Sequence, residues 1–386
     1  MPFFSNPHLS FIDLFSGCGG NSWGMSKVGK TVAMQPLLAV DIEQIALKTY
    51  KFNHPSTQIL FRDISKLSAS ELLKQIGLTP GKLGCLVASP PCQSYSRNNR
   101  TASKKQDERN TLYLHTLRLI KGIEPLCVFM ENVPEMKTHH NGIYHDHFVE
   151  NLEKLGYVVK YWTVNSADYG IPQRRSRLIY LAFHKKLGQI PEKPAETHSE
   201  AGDLLPQWIG AKDAIGDLPV REVADRRDSF DSKIYFNEKS EYAQQLAPRR
   251  NHVFNHSSRA LNAVQVERLN VLEEGQAYHD LPKRLRPKKG YDSSYGRLWQ
   301  DKPAQTITAW VQYPSSGRFS HYEQNRVITI REALRLQSFG DDFRVFGTMF
   351  EQSKQVGNAV PPLLAQIFKD SFAPILESWG KHQTEI

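Results

Sequence analysis

Phe11-Ile12-Asp13-Leu14-Phe15-Ser16-Gly17-Cys18-Gly19-Gly20 decides how the first half of the chain reads. A short apolar run closes on a glycine-rich turn, the pattern of a buried strand that bends tightly into a helix. The alternation continues outward. PLLAV at residues 36–40 is a second strand candidate, leading into residues 42–52, where Ile45, Ala46 and Tyr50 have helical spacing. Ser68 and Glu71 stand at capping-box spacing ahead of LLKQI, which predicts a helix start. CLVAS (85–89), LCVFM (126–130) and RLIYLAF (177–183) read as further strands, separated by helical stretches. Short apolar strands alternating with helices predict an α/β fold with a doubly wound, mostly parallel sheet.

The pattern changes after Lys185. Pro191, Pro194, Pro206, Pro219 and Pro248 interrupt it, and charges of both signs alternate. Order returns at Thr329 and Glu332, a second capping-box spacing ahead of ALRLQSF. Pro361 and Pro362 then precede an apolar stripe of Leu363, Leu364, Ile367 and Phe368. The expected organisation is an α/β domain of residues 1–185 completed by 355–386, a smaller, mainly irregular or β module at 186–300, and a hinge and return segment at 301–354.

With 386 residues, 23% charged and 40% hydrophobic, the chain has the material for an ordinary core, which excludes global disorder. No run approaches the ~18 apolar residues of a membrane span, and no signal sequence is expected at the start. Lys and Arg number 49 against 40 Asp and Glu, a net charge of +9 that permits a polyanionic partner without requiring one. The four cysteines, Cys18, Cys85, Cys92 and Cys127, show no C-x-x-C and no zinc spacing. A disulfide framework is excluded on that ground, and a reducing cytoplasmic setting fits.

Candidate functional residues stand at predicted strand ends, where doubly wound sheets hold ligands. Glycines after the first strand let backbone approach a ligand closely, although a tight turn with no ligand reads the same way. The dinucleotide fingerprint fails, because Ser22 takes the place of its last glycine. Asp41 suits two ribose hydroxyls or a helix N-cap, and Asp63 an adenine amino group or an ordinary loop. Cys92, in Ser89-Pro90-Pro91-Cys92-Gln93-Ser94-Tyr95-Ser96, follows a strand and two stiffening prolines. Residues 97–110 carry Arg97, Arg100, Lys104, Lys105 and Arg109 against Asp107 and Glu108. Nearby positive charge favours the thiolate, and such a segment suits a lid closing on an anionic substrate. Glu131, at the end of an apolar strand, is placed for poor solvation and proton donation, or for capping the next segment. Arg175 and Arg177 alternate on one strand face, suited to a phosphate or a base oxygen, or to a solvated edge. The residues alone reach a nucleoside cofactor and an activated thiolate beside a carboxylic acid.

FIDLFSGCGG, AVDIE, RDIS, SPPCQSYS, FMENV, GIPQRRSR, REALRLQSF and QVGNAVPP, in this order over more than half of the chain, resemble the cytosine-5 DNA methyltransferase family, in its bacterial restriction–modification form. The resemblance implies a Rossmann-like, class I methyltransferase fold with a target-recognition domain. It implies S-adenosylmethionine as cofactor, with S-adenosylhomocysteine as product. Phe15, Gly17, Cys18, Gly20, Asp41, Ile42, Asp63, Ile64, Ser89 and Pro91 would line its pocket, closed by Asn358 and Val360. Cys92 would add to C6 of a flipped-out cytosine, with Glu131 handling N3. Arg175 would hold the base and its phosphate, and Arg177 would support that geometry. Gln93, Ser96, Arg97 and Arg109 would touch DNA, as would Arg249, Arg250, Lys283, Arg284 and Arg286 in the module. His252, His256 and Arg259 extend that second basic cluster.

The implied partner is duplex DNA, with a cognate restriction endonuclease acting separately. A cytoplasmic monomer, nucleoid-associated through DNA, is expected, with no membrane and no metal; NHVFNH lacks a third ligand at suitable spacing. Ile42 departs from a position often aromatic in relatives, which leaves apolar contact in place of stacking. An RNA cytosine methyltransferase on the same catalytic domain is the near rival, and the long insertion favours duplex reading. A silent DNA-binding relative would have no reason to keep Cys92, Glu131, Arg175 and Asn358 together. A nicotinamide oxidoreductase is disfavoured by the failed fingerprint.

Overall fold

The computed structural model of the chain describes residues 6–91, 111–220, 229–231, 240–246 and 252–384. By internal packing these form two units: residues 1–164, 176–195 and 364–386 in the first, 165–175 and 196–363 in the second.

In the first unit β1 (Ser10–Leu14) is buried at every residue and turns into α1 (Gly20–Met25). β2 (Gln35–Asp41), α2 (Gln44–Asn53), β3 (Gln58–Phe61), α3 (Ala69–Ile76) and β4 (Cys85–Ala88) follow. Then come α4 (Leu112–Ile123), β5 (Cys127–Asn132), α5 (Ile143–Lys154) and β6 (Tyr157–Asn165). A two-residue β7 (Gln173–Arg174), itself part of the second unit, precedes β8 (Ser176–His184) in the chain. The main sheet runs β3-β2-β1-β4-β5-β8-β6. Its pairs β2–β3, β1–β2, β1–β4 and β4–β5 are parallel, and β5–β8 is antiparallel, so the expected mostly parallel α/β sheet is present. β1, β4 and β5 are covered on both faces, which is why they read as continuous apolar runs. β3 and β6 lie at the sheet edges, are largely open to solvent and carry no such run. They were legible only in the structure. Both halves of the predicted capping box form at α3: Glu71 N–H donates to Ser68 Oγ at 3.2 Å, and Ser68 N–H to Glu71 Oε2 at 2.8 Å.

The second unit is built of short pieces: α6 (Ala211–Ile215), β9 (Ser229–Asp231), α7 (Glu241–Leu246), β10 (His252–Phe254), α8 (Ala263–Asn270) and β11 (Ala304–Gln305). β9 pairs with β10, and β11 with β7, in two-stranded ladders. Its centre is α9 (Ile330–Leu336), buried along its whole length although it contains Arg331, Glu332 and Arg335. Arg335 grips Asp341 at 2.7 and 2.6 Å and also bonds both Asp217 oxygens. Arg326 holds Glu332 bidentately, both contacts at 2.7 Å. Burial pushes the Glu332 carboxyl up, but the charge and hydrogen bonds of Arg326 outweigh it and hold the group well below the carboxylate range. α10 (Met349–Asn358) and α11 (Pro362–Thr384) close the chain.

The unit boundaries fall at 164/165, 175/176, 195/196 and 363/364, where the sequence reading placed divisions at 185/186, 300/301 and 354/355. Residues 301–354 pack with the rest of the second unit through α9 and β11. α11 lies almost wholly in the first unit. Lys369, fully buried there, donates to Lys27 O at 3.1 Å and Val32 O at 3.0 Å, and the neighbouring Asp370 accepts from Thr31 Oγ1 at 2.7 Å. No described helix is long and apolar enough to cross a membrane.

Candidate active site

The carboxyl ends of β1, β2, β4 and β5 share one edge of the first unit's sheet, because those strands are parallel neighbours. After β1 the chain goes left-handed at Phe15 (φ 56°), Gly17 (φ 52°) and Gly19 (φ 97°). A side chain on Gly19 would put Cβ 2.9 Å from Tyr50 Cδ2, so only glycine fits. A Cβ on Gly17 would meet nothing within 4 Å, so the outer side of the loop is open. Gly17 N–H donates to Asp41 Oδ2 and Glu43 N–H to Asp41 Oδ1, both at 2.8 Å. Burial raises the Asp41 carboxyl above its ordinary range, against the lowering effect of these two bonds. Ile42, next in sequence, is 62% exposed.

Asp63 accepts from Ser65 N–H at 2.9 Å, which lowers its carboxyl. Asn21 Nδ2 donates to Ser89 Oγ at 3.1 Å. Ser16 Oγ and Asn21 Oδ1 are buried with no hydrogen-bond partner among the described residues. An open glycine cradle, a carboxylate at the next strand end, an exposed apolar side chain and orphaned polar atoms fit a nucleoside cofactor. Two expected pocket residues have buried side chains. Cys18 is 1% exposed, its thiol pushed up to about 12 by burial, and Ile64 is 5% exposed within the core.

Glu131 and Asn132 end β5, in register one and two residues beyond the last β4 pair, Ala88 with Met130. Asn132 Nδ2 donates to Pro90 O at 3.3 Å, tying the loop after β4 to the end of β5. Arg177 Nε lies 2.7 Å from Glu131 Oε1 in a largely buried ion pair, although the contact lacks the alignment of a hydrogen bond. The register explains it: Glu131 pairs with Ile179 across the antiparallel β5–β8 ladder, so Arg177, two residues from Ile179 on the same strand face, is its diagonal neighbour. Cys92, Gln93, Ser96, Arg97 and Arg109, and the lid expected at 97–110, lie outside the described residues, as do Arg249 and Arg250.

Arg175, Asn358 and Val360 belong to the second unit. Arg175 is 2% exposed, and its guanidinium is turned to the carbonyls of Ile307, Gly357 and Ala359. Arg175 was expected to hold a base and its phosphate; in this structure its guanidinium meets three backbone acceptors of its own unit. Asn358 is exposed and Val360 buried. Among the basic residues of the module, Lys283 is exposed, and Arg284 pairs with Glu267 at 2.6 Å. Arg286 donates to His279 O and Leu281 O at 2.7 and 3.0 Å. His256 leaves the basic cluster altogether: it is fully buried between Thr329 Oγ1 and Pro219 O, each at 2.9 Å. Among the described residues no group of three His, Cys, Asp or Glu is arranged to hold a metal.

Sequence reasoning passed over Asp13, wholly buried in β1. Its Oδ2 accepts from Ser22 Oγ at 2.6 Å, and Tyr50 Oη donates to that same Ser22 at 2.7 Å. Burial holds its carboxyl up at about 7, partly countered by Ser22. The available signal was a lone carboxylate inside an apolar strand. Asn132 was quoted in its motif but given no role; nothing in one sequence announces its bond to Pro90.

A doubly wound sheet with this glycine cradle and strand-end carboxylates defines the class as a nucleoside-cofactor enzyme. The C-5 cytosine-specific DNA methylase family matches residues 9–372, and the chain belongs to it. It is 34% identical to the type II methyltransferase M1.HphI of Haemophilus parahaemolyticus, over 94% of this chain and 86% of that one. It is 29% identical to M.DdeI of Desulfomicrobium norvegicum, over 96% and 90%. The crystal structure of a prophage-encoded E. coli protein assigned as a DNA modification methyltransferase superposes with a TM-score of 0.73 at 25% identity, covering 95% of this chain and 99% of that one. The activity is therefore methyl transfer to C5 of cytosine in DNA, and the family implies S-adenosylmethionine as methyl donor.

Proposed function

We propose that the chain methylates one cytosine within a short duplex DNA sequence, as the modification partner of a separately acting restriction endonuclease. Phe15, Gly17, Gly20, Asp41, Ile42, Asp63, Ser89 and Pro91 would hold the cofactor, with Asn358 and Val360. Asp41 suits the ribose hydroxyls, and exposed Ile42 the adenine face. When bound, S-adenosylmethionine supplies an electrophilic methyl group.

The chain's own residues make C5 reactive enough to receive it. C5 of cytosine is too electron-poor to react unaided. The Cys92 thiolate adds to C6, the C5–C6 π pair shifts to C4–C5, and the displaced C4–N3 π pair moves onto N3, where Glu131 delivers a proton. C5 is then nucleophilic. Once C5 is methylated, a base removes its proton and the returning electron pair expels Cys92. A thiol cannot reach C6 inside stacked DNA, so the base must leave the helix. Arg177 fixes the Glu131 carboxyl, and Asn132 fixes the backbone two residues before Cys92. The Asn132–Pro90 tether, which joins the loop after β4 to the end of β5, is the observation that carries the reading. A monomer acting in the cytoplasm on chromosomal DNA completes it.

The test offers methyl-labelled S-adenosylmethionine to duplex DNA and, in parallel, to total tRNA. Label should appear as 5-methyldeoxycytidine and vanish in Cys92→Ser, which should still bind S-adenosylhomocysteine. Label confined to 5-methylcytidine would move the enzyme to RNA, and turnover in Cys92→Ser would end the thiolate mechanism.

A further inference from the structure

Arg175 is bonded to the backbone at three points. Within the second unit Nη1 donates to Ile307 O and Gly357 O, both at 3.3 Å, and Nη2 donates to Ala359 O at 3.0 Å. Gly357 and Ala359 lie at the C-terminal end of α10, where carbonyls lack helical partners and the dipole is negative. A guanidinium 2% exposed is tolerable only with charge-assisted bonds of this kind.

The residue between those two carbonyls is Asn358, exposed while Gly357, Ala359 and Val360 are buried. The same guanidinium reaches Ile307, and Gln173 Oε1 accepts from Ile307 N–H at 2.8 Å. Gly357 is pressed onto that strip, since a Cβ there would lie 2.2 Å from Ala309 N. Gln337 Nε2 also bonds Val356 O. The backbone around Asn358 is thus held from several sides, with Arg175 the one charged staple among these contacts.

We infer that Arg175 is a positioning residue for the cofactor: it fixes the backbone on both sides of Asn358, so that this exposed amide is presented in one orientation, and it does not hold DNA phosphate. The inference rests on the proposed role of Asn358 at the cofactor.

The experiment compares Arg175→Lys, Gly357→Ala and Asn358→Ala with the parent enzyme, titrating S-adenosylhomocysteine by calorimetry and a mixed-sequence duplex at several salt concentrations. Arg175→Lys keeps the charge against the helix end but cannot bridge three carbonyls. Gly357→Ala displaces the same strip with the guanidinium intact, so the test does not depend on one variant folding. Both should raise the S-adenosylhomocysteine Kd about tenfold or more, as should Asn358→Ala, with duplex Kd within twofold and an unchanged salt slope. Loss of duplex affinity in Arg175→Lys, with a salt slope reduced by about one and cofactor binding intact, would make it a phosphate clamp and overturn the inference. Cofactor binding weakened in Asn358→Ala but normal in both other variants would overturn the inference alone. Normal cofactor binding in Asn358→Ala would remove the cofactor role of Asn358 itself, and the inference with it.

Discussion

Asp13 in the first unit and Arg335 in the second are both fully buried and charged by type, yet their surroundings differ. Around Asp13 partners are scarce: its Oδ1, Ser16 Oγ and Asn21 Oδ1 have no hydrogen bond among the described residues. Around Arg335 they are abundant, with Asp217, Asp341 and the carbonyl of Ala214 taking its donors. Buried polar groups left short of partners cost stability and persist where a ligand or a reaction needs them. Saturated networks hold one arrangement in place and offer nothing to a ligand. The polar residues of the sheet edge therefore read as working groups, and those of α9 as scaffold.

The sharpest way to break that contrast is at Glu131. Glu131→Gln should lower kcat by about 10²–10⁴-fold, far more than the modest loss in urea unfolding expected from weakening its ion pair with Arg177, because the carboxyl acts in chemistry. A rate within threefold of the parent would return Glu131 to the scaffold. At α9 the expectation reverses. Arg335→Met strands Asp217 and Asp341 without their cation and should cost about 3–5 kcal/mol in urea unfolding; a loss under about 1 kcal/mol would show the network adds little.

Asp13 gives a pH signature. Its folded carboxyl sits at about 7, above the ordinary carboxylate value, so the native state binds the proton more tightly than the unfolded chain. Its contribution to stability is full below about pH 4 and falls as pH rises to about 7, then levels off. Asp13→Asn should flatten that part of the profile in unfolding measured from pH 5 to 8, and an unchanged slope would remove Asp13 as its source. The smallest effect separates Lys283 from Arg286. Lys283→Ala should weaken duplex binding severalfold and lower the salt slope by about one. Arg286→Ala, at a side chain already bonded to two carbonyls, should change the slope less.

Much of the first unit was legible because central strands of a covered sheet must be apolar throughout, and capping boxes are local. Edge strands escaped, since one open side relaxes that demand. At the site, Asp41 and Glu131 stood out by position at strand ends, whereas Cys18 and Ile64, assigned to the pocket through the family resemblance, have buried side chains. Arg175 and Arg177 looked equivalent two residues apart, and the structure gives them different partners in different units.

The order of strands and helices, the glycine loop and the family motifs follow from residue type and spacing along the chain, and the sequence alone determined them. The Arg177–Glu131 contact, the Asn132 tether to Pro90, the Arg175 staple and the burial of His256 were decided only by tertiary structure. Each joins groups dozens of positions or more apart, and which of several equally suitable partners a side chain meets depends on register and packing that no local pattern encodes.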